Sequence, residues 1–581
     1  MRKTKIICTL GPSTDDENIL RQLVINGMDV ARINMSHGSY EEQRVRANMV
    51  KKIREEYNKP VALLLDTKGP EVRTKSFAKG RVMLEDGQEF TLTTREVDGD
   101  ETICTVTFAS LPNDVENGTN ILIDDGLIAM HVISKNETDV VCKVINGGPV
   151  SNNKGINIPG CKLSMPYVSQ KDREDIAFAV KEDFDFIAAS FVRTKEDVLQ
   201  IREELQKNLC DDIKIIAKIE NGEGVENIDE IIRTSDGIMV ARGDMGVELN
   251  LEDIPVIQKR FIAKCVMAGK QVVTATQMLE SMVKNPRPTR AEATDVANAI
   301  YDGTSAIMLS GETAAGKYPV QALKTMSVIA KRAEDDINYI SRFRKRNVKE
   351  HIDVTNAISH ATCTTAHDLG AAAILTASKT GQTARLISKF RPNCPIVSGT
   401  SDPKVLRQMN LSWGVLPILI KEVRESDKLF DHVVEVAQAE NYIKSGDIAV
   451  ITAGMPLGVS GTTNMLKVHL VGNILVEGHP VNDGIVTGRL CVCNNEEDAI
   501  KSFRDGDILA IPSTSNNIIS ILRKAKGIVT EIDGANSHAA VVGLALNKPV
   551  IIGANNATQI LTSGTMVKLD AKKGIVINVK K

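Results

Sequence analysis

The sequence predicts an α/β protein whose largest part is a closed barrel of eight parallel strands, each followed by a helix. Two observations predict it. Eight short apolar runs recur at Lys5–Thr9, Val30–Asn34, Ala62–Asp66, Phe186–Ser190, Ile215–Lys218, Gly237–Ala241, Gln271–Thr276 and Ser305–Ser310. Most gaps between them carry apolar residues at helical spacing, as Ile19, Leu20, Leu23 and Val24 do within Asp15–Asn26. Eight strand–helix units with polar residues at the strand ends describe a TIM barrel, whose active site lies at the carboxyl-terminal face.

The barrel occupies residues 1–70 and 169–345. Ser169–Asp172 has capping-box spacing and opens the helix that resumes it. Between them, at 71–168, helical rhythm gives way to short strands with turn signals at Asp86-Gly87, Asp98-Gly99, Asn117-Gly118, Asp125-Gly126 and Asn146-Gly147. This predicts an inserted small β-barrel domain that faces the active site as a lid. A charged run, Arg342–His351, reads as a solvated linker or interface. Residues 355–472 alternate strands and helices as an α/β domain, and 475–581 form a further α/β domain.

With 581 residues, 42% hydrophobic and 25% charged, the chain has a soluble globular composition. A net charge of −3 and 3% aromatics exclude a basic, base-stacking nucleic-acid surface. No run is long enough to span a bilayer, and Met1–Lys5 does not open a signal peptide. The ten cysteines are scattered, Cys491 and Cys493 alternating on one strand, and predict reduced thiols in a cytoplasmic protein.

Chemistry concentrates at the strand ends. On extended strands, residues two apart share a face, so Lys218 pairs with Glu220 and Arg242 with Asp244. Carboxylates closing apolar runs are costly to bury alone. An ion-pair network with Lys218 and Arg242 is one explanation for Glu220 and Asp244, but buried ion pairs add little stability. A divalent metal, Mg²⁺ or Mn²⁺, explains them better. Arg32, Asn34 and Ser36 share a face if the second strand stays extended, and with Asp66 and Thr67 they offer oxygens that suit a hard cation. Thr276 ends the seventh strand, and Ser310 and Glu312 follow the eighth. Gly311–Tyr318 nearly matches a phosphate-binding P-loop, but Tyr318 stands where Ser or Thr is required, so it reads as a loop entering the last helix.

Together these residues resemble the pyruvate kinase family, in order along nearly the whole chain. The likeness rests on Asn34–Gly38, Leu65–Thr74, Lys218–Asn221, Ala241–Asp244, Ala275–Met282 and Leu309–Thr313. It implies phosphate transfer from phosphoenolpyruvate to ADP, giving pyruvate and ATP, in the last step of glycolysis by a homotetramer. By the same resemblance, Lys218, Thr276 and Arg32 are catalytic, and Gly243 and Asp244 join them around the substrate. Glu220 and Asp244 hold Mg²⁺, while Asn34, Ser36, Asp66 and Thr67 hold K⁺. Asn34, His37, Arg73 and Lys154 meet the nucleotide, and Thr276 relays a proton.

Ser378, Lys379, Thr380, Gly381, Gln382 and Thr383 resemble the family's effector phosphate loop, with Gly458–Asn464 as its opposite wall. Hydroxyls, a lysine and a glycine at a helix start suit a phosphate, implying activation by AMP or a sugar phosphate. The last domain, absent from most members, resembles the phosphohistidine domain of phosphoenolpyruvate-utilising enzymes around His538, with Asp533 where that motif has glycine. An enzyme working through His538 would need a nucleotide-loading ATP-grasp domain, which the sequence lacks. A catalytically dead metabolite sensor would have lost one of Arg32, Lys218, Glu220 or Asp244, and all four are present.

Overall fold

The barrel strands are β1 (Lys5–Thr9), β2 (Val30–Asn34), β3 (Ala62–Asp66), β4 (Phe186–Ala189), β5 (Lys214–Ile219), β6 (Gly237–Ala241), β7 (Gln271–Ala275) and β8 (Ala306–Leu309). They close in the order β1-β8-β7-β6-β5-β4-β3-β2, every pair parallel. Their near-continuous burial explains their apolar composition. Inward-pointing Ile7, Val30, Leu64, Phe186, Ile216, Met239 and Val273 fill the interior, so the barrel is a packed core rather than a pore. The computed structural model describes residues 1–345, 353–423, 425–455, 463–472 and 474–579.

Local signals hold where they carry a mechanism. The first helix is Glu17–Ile25, capped by the Asp16 carboxylate, which accepts the Asn18 N–H at 2.8 Å. Ser169 caps Gln170–Lys181 in a reciprocal capping box with Asp172. Gly311–Ala314 makes one helical turn before the helix Pro319–Asp336, so the P-loop look-alike is a helix entry.

The inserted segment forms a seven-stranded sheet and a two-stranded ribbon around one apolar core. A bridge between Thr74 and Val106 joins residues next to its two edge strands and closes the sheet on itself. Only one of the five turn signals makes a hairpin between paired neighbours: Asp125-Gly126 links the antiparallel strands Asn120–Ile123 and Ile128–Lys135. Asp98-Gly99 instead lies between Glu89–Thr93 and Ile103–Thr105, which run parallel. At Asn146-Gly147 the chain leaves Asp139–Asn146 to pair Gly148–Ser151 with Arg81–Leu84. Asn/Asp-Gly favours a left-handed reversal wherever the chain turns, whether or not the next strand pairs with the last.

The chain folds as two compact units. The first comprises Met1–His360, Ser378–Glu422 and Gly454–Thr463, and so holds barrel and insertion together. It also contains the parallel strands Ile396–Thr400 and Val415–Leu419. The second comprises Ala361–Ala377, Val423–Ala453 and Asn464–Lys581. In it Ala373–Thr376 runs parallel to Ala449–Thr452, and an eight-stranded mixed sheet carries a parallel centre: Ile485–Val492, Ile508–Ile511, Gly527–Thr530 and Val550–Ile552. Among the described residues no helix is long and apolar enough to cross a membrane. Arg342–Lys345 lie on the helix Tyr339–Lys345, while the rest of the charged run lies outside the described residues.

Candidate active site

Lys218, on β5, is the hub. Its ammonium lies 3.0 Å from Asp66 Oδ1, 3.0 Å from Glu220 Oε1 and 2.8 Å from the Ser190 hydroxyl. Arg32, on β2, donates from Nε to Asp66 Oδ2 at 2.6 Å and from a terminal nitrogen to the Thr9 hydroxyl at 2.9 Å. Burial alone would drive these groups neutral, but their mutual charge prevents it. Burial opposes the Lys218 charge, and Asp66 and Glu220 outweigh it, raising its pKa above the usual lysine value. Burial likewise pushes against the Asp66 charge, and Arg32 and Lys218 hold its pKa below the usual carboxylate range. Glu220 is the exception. Burial pushes it up to about 7 despite Lys218, and Asp244 adds repulsion.

The carboxylate Glu220 follows β5 directly and is steered by backbone: the Phe191 N–H donates to its Oε2 at 2.6 Å. Phe191 adopts a left-handed φ of 54° to do so, a strained conformation for a bulky residue. Ser190, which no strand-end argument singled out, donates to the Thr67 carbonyl at 2.6 Å, and the Tyr167 hydroxyl donates to the Ser190 carbonyl at 2.9 Å. The run Phe186–Ser190 ends in a hydroxyl as the other runs end in polar groups, so the same logic would have found it.

Arg242 and Asp244 do not share a strand face. β6 stops at Ala241, and Arg242–Glu248 is a helix in which residues two apart diverge. Arg242 turns back to donate to the carbonyls of Ala275 and Thr276, at 3.2 and 2.7 Å, and pairs with Asp295 at 2.8 Å. Asp244 makes no ion pair among the described residues, so the ion-pair reading accounts for Glu220 but not for Asp244. Thr276 likewise lies past its strand, at φ 66°; its hydroxyl donates to the Ala275 carbonyl at 2.7 Å and accepts the Gly243 N–H at 2.8 Å. Ser310 Oγ is buried with no hydrogen-bond partner among the described residues, while Glu312 accepts the N–H groups of Ser310 and Leu279.

β2 also ends earlier than an extended Arg32–Ser36 run requires. After Asn34 the chain turns, the Asn34 carboxamide accepting the Ser36 N–H at 3.0 Å, and Ser36 and His37 are exposed. Asn34 nevertheless sits beside Asp66, its register partner on β3. Thr67 is buried, its hydroxyl accepting the Ser190 N–H at 3.2 Å.

Between barrel and insertion lies a cavity of about 400 Å³, with Arg73, Asp124, Asp125, Lys154 and Lys162 on the side of the insertion and Phe191, Arg193, Asn221, Glu223, Asp244 and Glu248 on the barrel side. Lys154 pairs with Asp124 at 2.8 Å and Arg73 with Glu71 at 2.7 Å. Asn157 donates to Glu248 at 2.9 Å, and Lys162 reaches Glu223 at 3.5 Å, so both walls touch.

Elsewhere, Gly381 is the left-handed N-cap of the helix Gln382–Lys389, with φ 71°. Lys379 is exposed, 3.8 Å from Glu422, and Thr383 bonds Thr463 at 3.0 Å. The remaining opposite wall, residues 458–462, lies outside the described residues. In the last domain His538 opens the helix His538–Ala545, one ring nitrogen 2.9 Å from the Thr514 hydroxyl and the other 3.1 Å from the Asn516 carboxamide oxygen. Asp533 is drawn to His479, 2.9 Å away.

A charged lysine buried between carboxylates at the mouth of a TIM barrel, beside an inserted domain that carries cations, defines an enzyme that handles anionic substrates, a phosphotransferase in kind. Comparison with known proteins gives the family. Residues 1–323 match the pyruvate kinase barrel domain, 356–469 the pyruvate kinase alpha/beta domain, and 503–574 the mobile domain of PEP-utilising enzymes. A pyruvate kinase of Sporosarcina psychrophila is 45% identical over 580 residues, covering 100% of this chain and 99% of that protein. One of Geobacillus stearothermophilus is 46% identical over 577 residues, covering 99% and 98%. A solved pyruvate kinase from Cryptosporidium parvum, 40% identical, covers 81% of this chain and 96% of its own with a TM-score of 0.77. The chain belongs to the pyruvate kinase family, in its bacterial form with an extra C-terminal domain.

Proposed function

We propose that this chain transfers the phosphoryl group of phosphoenolpyruvate to ADP, releasing pyruvate and ATP, as the last step of glycolysis in the cytoplasm. The observation that carries the reading is the buried Lys218 ammonium held between Asp66, Glu220 and Ser190 at the barrel mouth. Phosphoryl transfer needs positioning and charge neutralisation more than covalent chemistry. Lys218 and Arg32 face the moving phosphoryl, and Lys218 also balances the enolate left behind. The substrate carboxylate meets the Thr276 hydroxyl and the backbone amides at Gly243 and Asp244. Thr276, fixed by Ala275, relays the proton that converts enolate to pyruvate.

The donor set fits a divalent cation. Glu220 keeps a proton to about 7 because burial and Asp244 oppose its charge, the condition that a bound cation relieves. Mg²⁺ or Mn²⁺ held by Glu220 and Asp244 supplies neutralisation of the phosphoryl and enolate oxygens. Asn34, Ser36, Asp66 and Thr67 would hold K⁺, a fit supported by the pairing of Asn34 with Asp66 across adjacent strands. Asn34, His37, Arg73 and Lys154 take the nucleotide. The Ser378–Thr383 loop takes a phosphorylated activator, AMP or a sugar phosphate, and the enzyme works as a homotetramer.

Mixing the protein with phosphoenolpyruvate, ADP, Mg²⁺ and K⁺ should yield pyruvate, and omitting Mg²⁺ should abolish it. No pyruvate from folded protein, with AMP and sugar phosphates also tried, would reject the reading.

A further inference from the structure

Cys491 and Cys493 lie outside all of this chemistry. Their sulfur atoms are 3.6 Å apart, and both side chains are buried in the apolar core of the last domain. Cys491 belongs to the strand Ile485–Val492 and Cys493 follows it, its N–H donating to the Ala510 carbonyl at 2.8 Å. Two residues along a strand span about 6.6 Å, within the upper end of the Cα separations, ~4.4–6.8 Å, that a disulfide tolerates.

We propose that Cys491 and Cys493 form a redox dithiol that a peroxide closes into an intrachain disulfide. The Cys491 thiolate attacks one peroxide oxygen, the O–O bond breaks and hydroxide leaves, giving a sulfenic acid. Cys493 then attacks that sulfur; the S–S bond forms, the S–O bond breaks, and the thiol proton leaves with the hydroxide as water. The two sulfurs lose two electrons and the peroxide gains them. Burial raises both thiols, Cys493 to about 12 with Cys491 adding to it and Cys491 less because its contact with Cys493 partly offsets burial, so Cys491 is the attacking thiol. Burial makes the reaction slower than that of an exposed thiol.

The ring would tighten the turn between this strand and the helix Glu496–Ser502. Glu496 accepts from Ser515 and Asn517, which flank the Asn516 that meets His538. The dithiol therefore sits at the root of the loop that grips His538.

Trypsin releases both cysteines, and no other, in the peptide Leu490–Lys501. The full-length protein is treated with hydrogen peroxide, quenched, denatured, alkylated, digested and weighed. The expected peptide is lighter by two hydrogens and takes no alkyl group, and dithiothreitol restores both sites. Cys491→Ser and Cys493→Ser each abolish the closed form. A peptide that still takes two alkyl groups overturns the proposal, as does a sulfinic acid on one cysteine or a bridge to a cysteine elsewhere. The wild-type peptide decides the matter even where a serine variant fails to fold.

Discussion

Replacing Lys218 with methionine tests the centre of the site. Two unit charges 3.0 Å apart, the Lys218–Asp66 separation, interact by about 5.5 kcal/mol at an effective dielectric near 20. A phosphoryl oxygen in place of that carboxylate would feel a similar attraction, part of it already present before the reaction. The differential share matches the ~2.7–4 kcal/mol lost when one preorganised donor to a developing charge is removed. At about 1.4 kcal/mol per decade, kcat should fall roughly 10²–10³-fold. The Michaelis constant for phosphoenolpyruvate should move less, because Arg32 and Thr276 remain. Pyruvate is followed by coupled NADH oxidation. Lys218→Met leaves Asp66 with Arg32 as its one cationic partner among the described residues, so a melting curve must accompany the rate, and Lys218→Gln, which keeps a hydrogen-bond donor, serves as the second variant. A folded Lys218→Met enzyme with kcat within tenfold of wild type would refute the reasoning.

Divalent-cation affinity should depend on pH through Glu220: its raised pKa of about 7 means that below neutrality the metal must displace a proton, so titration calorimetry should show affinity rising with pH to about 7 and levelling above it. Thr276→Ala removes the acceptor of the Gly243 N–H and the proposed relay, and should lower kcat by roughly 10²-fold in the same pyruvate assay. Arg407→Met strips the partner 2.7 Å from buried Asp185 and should cost about 3 kcal/mol in urea unfolding. Burial raises Asp185 from its ordinary value to about 6, above its unfolded value. Its protonated form is therefore favoured by folding below that pH, and the cost of the substitution should shrink as pH falls from 8 to 5. Lys379→Ala should weaken activation by AMP or sugar phosphates without changing the basal rate; an unchanged activation curve would remove Lys379 from the effector site.

The barrel was legible because its strands are buried on both faces, which forces long apolar runs, and because runs such as Ala62–Asp66 and Phe186–Ser190 close on polar residues that meet Lys218. Capping boxes at Ser169 were equally legible, since both partners lie within three residues. What was lost lies one or two residues past the strands. There a period of two no longer governs direction: Arg242 begins a helix, Thr276 and Phe191 take left-handed backbone, and Asn34 folds the chain onto its own carboxamide. Partners far apart in sequence were also invisible, because Lys218 meets Asp66 across 152 positions and Thr9 meets Arg32 across 23. Turn signals marked where the insertion reverses but not what it pairs with, since that depends on which strand is free to receive it.

The charge arrangement supports the proposed role of an added cation. Each of the four cations lining the cavity is already engaged: Arg73 with Glu71, Lys154 with Asp124, Lys162 with Glu223 and Arg193 with Asp197. Asp125, Glu226, Asp244 and Glu248 line the same space and, among the described residues, form no ion pair. Burial and like charge raise the pKa of both Asp125 and Glu248, so the cavity already resists the negative charge it holds. A nucleotide phosphate entering it would meet carboxylates on both walls and cations committed elsewhere. Binding is favourable only if the phosphate arrives with positive charge or if Arg73 and Lys154 exchange their partners for it. Those two pairs are partly exposed and weak, and so are cheap to exchange; the Lys218–Asp66–Arg32 cluster is buried and is not. On the proposed assignment, the fixed charges sit where the phosphoryl would move, and the exchangeable ones where the nucleotide would come and go.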